Sequence, residues 1–384
     1  MKLHKYIENK SYPVTIIPNV VKWRKMPVTC NHERINALDF LRGIAVILMV
    51  QQHTGYWFWK SGGSISSLIA EHPFMVIMNG LGGLAAPIFI SLAGAGTTLS
   101  YASGKKDREI FLRGIILILF GYLLNLLTPA WFAPWSWYVL HLIGLGMCLS
   151  PLLRRMNSYI LFLVASFAIV ATVMLLEYYS MPRYFNNAFM RGALSIPGIL
   201  KLAAISGNFP VFPWIALFIA GLISGRWIKN GSYMNILKTA CFIFLASTLL
   251  FIVKQGNFQL FNNSTGQRLL TVNLYMYPAY PIQFMALSAC TFMLLFAIIA
   301  AGKRISIKAE DIFVLTGRAS LSIFIIHIVV IRNFMTLSGF WQSFPAAVTV
   351  MLQLAVIAVI MLLVYFWNKT EFRYGFEWML RRIK

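Results

Sequence analysis

Ten apolar stretches, each near the length that crosses a bilayer, decide what this chain can fold into. They fall near 38–58, 74–102, 109–127, 137–153, 159–178, 211–228, 236–253, 281–301, 312–332 and 344–367. A spanning helix needs about 20 largely apolar residues. Of the 384 residues, 59% are apolar and only 11% charged, whereas a soluble domain carries about 25% charged residues. Such a chain cannot cover a soluble surface, which excludes an ordinary cytosolic enzyme and excludes disorder. The expected fold is all-α: a polytopic integral membrane protein with about ten transmembrane helices.

Charge then sets the orientation. The chain holds 33 Lys and Arg against 11 Asp and Glu, a net +22. On a membrane protein this records topology, because basic residues are held on the cytoplasmic side, and no nucleic-acid partner is expected. With the N-terminus inside, only Lys60, Arg183, Arg191, Lys201, Lys254, Arg268 and Arg332 fall outside. Arg42 lies within the first helix, and the other 25 of the 33 basic residues fall inside. Both termini are therefore expected in the cytoplasm.

Residues 1–37 are polar, broken by Pro13, Pro18 and Pro27, with no early apolar segment of the kind a cleaved signal has. Small loops and no cleaved signal fit a prokaryotic plasma (inner) membrane. Cys30, Cys148, Cys241 and Cys290 show neither disulfide nor metal-ligand spacing. The Gly-rich second run is expected to tilt, to kink at Pro87 or to begin as a re-entrant piece. Two long external connections, 179–210 and 254–280, could cover a substrate entrance; the first contains SIPGILKLAAISG, a candidate interfacial or lid helix.

Polar residues within spans are costly and are the first functional candidates. Asp39 and Arg42, three apart at the cytoplasmic end of the first helix, share a face and can pair. His53 lies eleven positions beyond Arg42, roughly 16 Å deeper at 1.5 Å per residue. Gln51 and Gln52 add polarity beside it. His72, just before the second run and on the same outer half, is the second histidine candidate. His141 and His327 also fall in spans and read as structural. The plainer alternatives are a helix-end ion pair for Asp39 and Arg42 and a hydrogen-bonded interior ring for His53. No residues fit a metal site, a phosphate-cradling glycine loop or a Ser-His-Asp triad. With three Asp and eight Glu in the chain, proton transfer falls to histidine.

RINALDFLRGIAVILMVQQH resembles the opening helix of membrane acyltransferases related to heparan-alpha-glucosaminide N-acetyltransferase, R-x-x-x-[LIV]-D-x-[LF]-R-G-[LI]-A-[LIV]-[LIV]-x-M. Further similarities follow in order: LAAPIFISLAGAGTTLS, WYVLHLIGLGMCLSPLL, FPVFPWIALFIAGLISGRW and LTGRASLSIFIIHIVVI, together spanning roughly 34–332. The resemblance implies that acyl-CoA, most simply acetyl-CoA, binds from the cytoplasm and that its acyl group passes to a sugar amine or hydroxyl on the other side. The heparan enzymes use an external histidine between helices one and two, and His72, fifteen residues before Pro87, is the nearest position. At the His53 position those enzymes carry Asn, whereas the wider acyltransferase-3-like superfamily carries His. The chain also lacks their H-A-x-W context, and Gly83 stands about where they hold an acid before the proline. These departures bear on the acceptor, not on the acyl-transfer architecture.

The expected organisation is a cytoplasmic segment 1–37, a transmembrane acyltransferase-like domain 38–367 and a cytoplasmic basic tail 368–384. His53 or His72 would be general base or transient acyl carrier. Arg42, Asp39, Lys105, Lys106 and Arg108 would form the acyl-CoA site. The partners are the bilayer, acyl-CoA and a glycan or glycolipid acceptor, with no metal. A transporter or flippase of a sugar- or lipid-linked molecule is the rival reading, although no internal repeat supports it. A non-catalytic subunit of an envelope-polysaccharide assembly is a third.

Overall fold

A computed structural model of the chain describes residues 35–62, 65–185, 194–256, 264–272 and 277–383. Among them regular structure is helical, apart from one isolated bridge between Trp59 and Phe344. In chain order the helices are α1 (Asn36–Phe58), α2 (Ile65–Glu71), α3 (Pro73–Gly82), α4 (Ala85–Ala102), α5 (Asp107–Leu127), α6 (Val139–Leu153) and α7 (Ser158–Tyr178). Next come α8 (Ile196–Lys201), α9 (Val211–Lys229), α10 (Met234–Gln255), α11 (Ser264–Leu269) and α12 (Pro281–Arg304). The last are α13 (Ile312–Arg318), α14 (Ser320–His327), α15 (Asn333–Leu337), α16 (Ala346–Asn368) and α17 (Phe376–Arg381).

Among the described residues, eight helical stretches are long and apolar enough to cross a membrane, so the chain is a multi-pass membrane protein. Two of the ten apolar runs fall outside that set for different reasons. α6 has only 15 residues. α1 has 23 but carries Asp39, Arg42, Gln51, Gln52 and His53, which lower its hydropathy. Outward faces are apolar, as contact with lipid requires: α10 exposes Phe242, Leu245 and Leu249, and α16 exposes Met351, Leu354 and Leu362.

Two of the runs are broken. The second divides at Gly83–Leu84, and Pro87 sits in the first turn of α4, where a missing N–H leaves no helix bond unmade. The break therefore precedes the proline by one turn. The ninth run reads as one span over 312–332 but divides at Ala319, which leaves helical geometry at φ −103° and ψ 14°. The carboxylate of Glu377 takes up the amides freed there, accepting from the backbone N–H of Leu321 at 2.5 Å and of Ser322 at 3.0 Å. Ser322 Oγ donates to the same carboxylate at 2.5 Å. The helix then continues through a wider π turn at Ile328–Arg332.

α1 is the hub, packed by α3, α4, α12, α13, α14 and α16. Its contact with α13 is backbone to backbone: a β-carbon on Gly43 would overlap the Phe313 carbonyl, and one on Gly317 would overlap that of Asp39. Only glycine permits that approach. It sets Arg318 beside the first turns of α1.

Candidate active site

Met49, Gln52, His53 and Tyr56 recur at spacings of three and four along α1, so they share one face. That face lines a cavity of about 1170 Å³. The cavity extends along α1 from Arg42 to Tyr56, and α4, α5, α6 and α14 supply much of the remaining wall. Its two ends differ in chemistry.

At the Arg42 end the lining is cationic: Arg42, Lys105, Arg113, Arg318 and Arg381. Asp39, 3% exposed, organises two of them. Its carboxylate accepts from Arg42 Nη1 at 2.7 Å and lies 3.8 Å from Arg318 Nε. Arg318 also donates to Asn36 Oδ1 at 3.3 Å. One carboxylate thus aligns two guanidiniums, which are forked donors suited to phosphate. Lys105 lines the cavity beside Glu109 at 3.6 Å. Lys106 and Arg108 are exposed and do not line it. Glu377 and Arg381 bring the C-terminal helix to the same rim.

At the other end the lining is aromatic and uncharged. His53 stacks on Trp57 with ring centroids 5.4 Å apart and meets the edge of Trp131 at 5.7 Å. Its Nδ1 lies 2.9 Å from His327 Nε2, and His327 Nδ1 lies 2.7 Å from the Ile323 carbonyl. A carbonyl only accepts, so His327 carries its proton on Nδ1 and, when neutral, accepts at Nε2. His53 then donates from Nδ1. Its Nε2, on a ring that lines the cavity, keeps its lone pair. This orienting relation between two rings is what general-base chemistry needs.

Polar groups near this end are amides and phenols. Gln51 donates to Asn79 Oδ1 at 3.3 Å, and Gln353 donates to the Gln51 carbonyl at 2.7 Å. Tyr277 is hydrogen-bonded to Asn208, and burial pushes its phenol well up, so it stays neutral. Arg332, behind the wall, lies between Trp131 and Trp341 at 5.1 and 5.2 Å from their ring centroids.

His72 is elsewhere. It is half-buried at the start of α3, edge-on to Trp59 at 5.6 Å, and it does not line the cavity. The structure brings His53 together with His327 instead. His141 is buried between Tyr122 and Trp137, its Nδ1 accepting from the Tyr138 N–H at 3.3 Å, and it also stays out of the lining. Sequence reasoning missed His327 as a partner and missed Arg113, Arg318 and Arg381 at the cationic end. Arg318 and His327 share the LTGRASLSIFIIH segment, which was the available signal. Among the described residues no group of three or more His, Cys, Asp or Glu could hold a metal ion.

The family model for the heparan-alpha-glucosaminide N-acetyltransferase catalytic domain matches residues 34–255, more than half of the chain. No curated protein matches the chain. The match begins two residues before α1 and takes in Asp39, Arg42, His53 and the helices that flank them, so this multi-pass membrane protein belongs to the heparan-alpha-glucosaminide N-acetyltransferase catalytic-domain family.

Proposed function

We propose that the protein is a membrane acyltransferase that takes an acyl group, most simply acetyl, from cytoplasmic acyl-CoA and delivers it to a sugar amine or hydroxyl at the external face. In this reading α1 and α6 also span the membrane. That makes ten spans with both termini inside, and the Arg42 end of the cavity faces the cytoplasm. One observation carries the reading: a single cavity joins a cluster of guanidiniums to an oriented histidine pair.

The phosphates of the donor meet Arg42, Lys105, Arg113 and Arg318, and its pantetheine arm lies along α1. The arm covers the roughly 16 Å from Arg42 to His53, which sets the thioester beside His53. There His53 Nε2 takes the proton of the acceptor as the nucleophile attacks the thioester carbonyl. His327 holds the ring in the productive tautomer. The aromatic walls exclude water and protect the thioester from hydrolysis.

The test is acetyl transfer by the purified protein with His53→Ala and Arg42→Ala beside the wild type. His53→Ala should lose transfer while acetyl-CoA still raises its melting temperature. Arg42→Ala should lose much of that thermal shift. Transfer at the wild-type rate by His53→Ala, or no thermal shift by acetyl-CoA in the wild type, defeats the proposal.

A further inference from the structure

The uncharged end of the cavity constrains the nucleophile it can accept. An amino sugar travels mainly as an ammonium ion near neutral pH. Moving that charge out of water is costly unless a carboxylate or a comparable acceptor compensates it. Among the described residues, no Asp or Glu lines the cavity near His53; Glu377, at the opposite rim, is its one carboxylate. The connections 186–193, 257–263 and 273–276 contain no acid either.

Two carboxylates lie at the helix ends on the His53 side, and neither serves an incoming cation. Glu177 is held by Arg268 at 2.7 Å. Glu71 is exposed at the end of α2, outside the lining. The nearby fixed charge has the wrong sign, since Arg332 sits against the face of Trp131, a ring that also meets His53. What remains is Gln52, Asn79, Asn208, Tyr56 and Tyr277 among indole and phenyl rings. Neutral amides and aromatic faces suit a hydroxylated, uncharged ring.

We infer that the acceptor is a sugar hydroxyl and the product an O-acyl ester, a conclusion that rests on the acyltransferase reading above and narrows it. A hydroxyl arrives neutral and has one proton to lose, so a single base suffices. Its oxygen attacks the thioester carbonyl carbon while the proton moves to His53 Nε2. The C–O bond forms, the C–S bond breaks, and the proton passes from His53 to the departing coenzyme A thiolate. An amine would first have to shed a proton to reach its nucleophilic form, in a chamber where no carboxylate among the described residues stands near His53 to take it.

The chemistry of the linkage tests this whatever sugar carries the hydroxyl. Membranes containing the full-length protein are incubated with radiolabelled acetyl-CoA, with His53→Ala membranes as background. Protein is removed, and the labelled material is partitioned between organic and aqueous phases. Residual acetyl-CoA is removed by anion exchange, and each phase is then treated with alkaline hydroxylamine, which cleaves O-acyl esters and leaves amides intact. The inference expects most of the wild-type label to be released as acetyl hydroxamate. Label in the organic phase identifies a glycolipid source, and label in the aqueous phase a free glycan. Label that resists hydroxylamine overturns the inference and leaves the acyltransferase reading standing. Incorporation no greater than in His53→Ala membranes overturns both.

Discussion

Replacing His327 by Phe isolates the contribution of the histidine pair. The substitution keeps an aromatic ring among Trp57, Phe324 and His53 but removes the acceptor 2.9 Å from His53 Nδ1. The His53 N–H is then buried without a partner, at a cost of about 1–3 kcal/mol. His53 escapes that cost by carrying its proton on Nε2, which is the tautomer that cannot act as base toward the cavity. Each 1.36 kcal/mol of bias is tenfold in rate, so kcat should fall on the order of 10- to 100-fold. The KM for acetyl-CoA should hold, because the cations proposed to bind its phosphates lie at the other end of the cavity. His327→Gln, whose amide oxygen can accept the same proton, should recover part of the loss. Initial rates of acetyl incorporation at varied acetyl-CoA concentration separate the two constants. A folded His327→Phe protein with wild-type kcat would refute the assignment of His327 as the positioning residue.

Three further outcomes follow from the packing. Asp39→Asn leaves the guanidiniums of Arg42 and Arg318 facing each other without their carboxylate; breaking a buried pair costs about 3–5 kcal/mol. Partial exposure of those side chains, 24% and 20%, puts the loss near the lower figure, and a change in thermal unfolding below about 1 kcal/mol would contradict the buried-triad geometry. Gly317→Ala forces α13 away from α1 and should destabilise by about 1–3 kcal/mol, seen as reduced detergent-stable yield; wild-type yield and melting temperature would show that the helices do not meet there. Glu377→Ala removes the acceptor for the Leu321 and Ser322 amides, worth about 1–2 kcal/mol as a helix cap. Hydrogen exchange at those amides should rise roughly tenfold, and unchanged exchange would show that Glu377 does not cap them.

The bilayer rule made most of the fold legible. The run predicted at 211–228 is the helix Val211–Lys229, and that at 281–301 is Pro281–Arg304, because a span declares itself by continuous apolar length. The pairing of Asp39 with Arg42 on one face of α1 was likewise readable from helical spacing. The break at Ala319 was not. The group that stabilises it, Glu377, lies more than fifty positions away, and no local signal records a carboxylate arriving from that distance. The same holds for His327, which is 274 positions from His53 in sequence and 2.9 Å from it in space. For the loop cations, composition indicated a basic rim but not direction. Lys105 turns to the cavity while Lys106 and Arg108 point away.

The division between matched and unmatched sequence explains how so polar a helix as α1 can sit inside the bundle. The family match ends at residue 255, yet several polar groups of α1 are satisfied from beyond it. Asn36 donates to the Ile307 carbonyl at 3.0 Å, and Asp39 faces Arg318 at 3.8 Å. The Gln51 carbonyl receives Gln353 at 2.7 Å, and His53 meets His327 at 2.9 Å. A polar group facing hydrocarbon without a partner costs several kcal/mol. The segment 34–255 taken alone would expose this whole series to lipid, as well as opening the cavity along α13 and α14. The C-terminal helices are therefore part of the site and not an appendage to it. They let α1 keep an ion pair at one end of the bundle and a hydrogen-bonded histidine near the other.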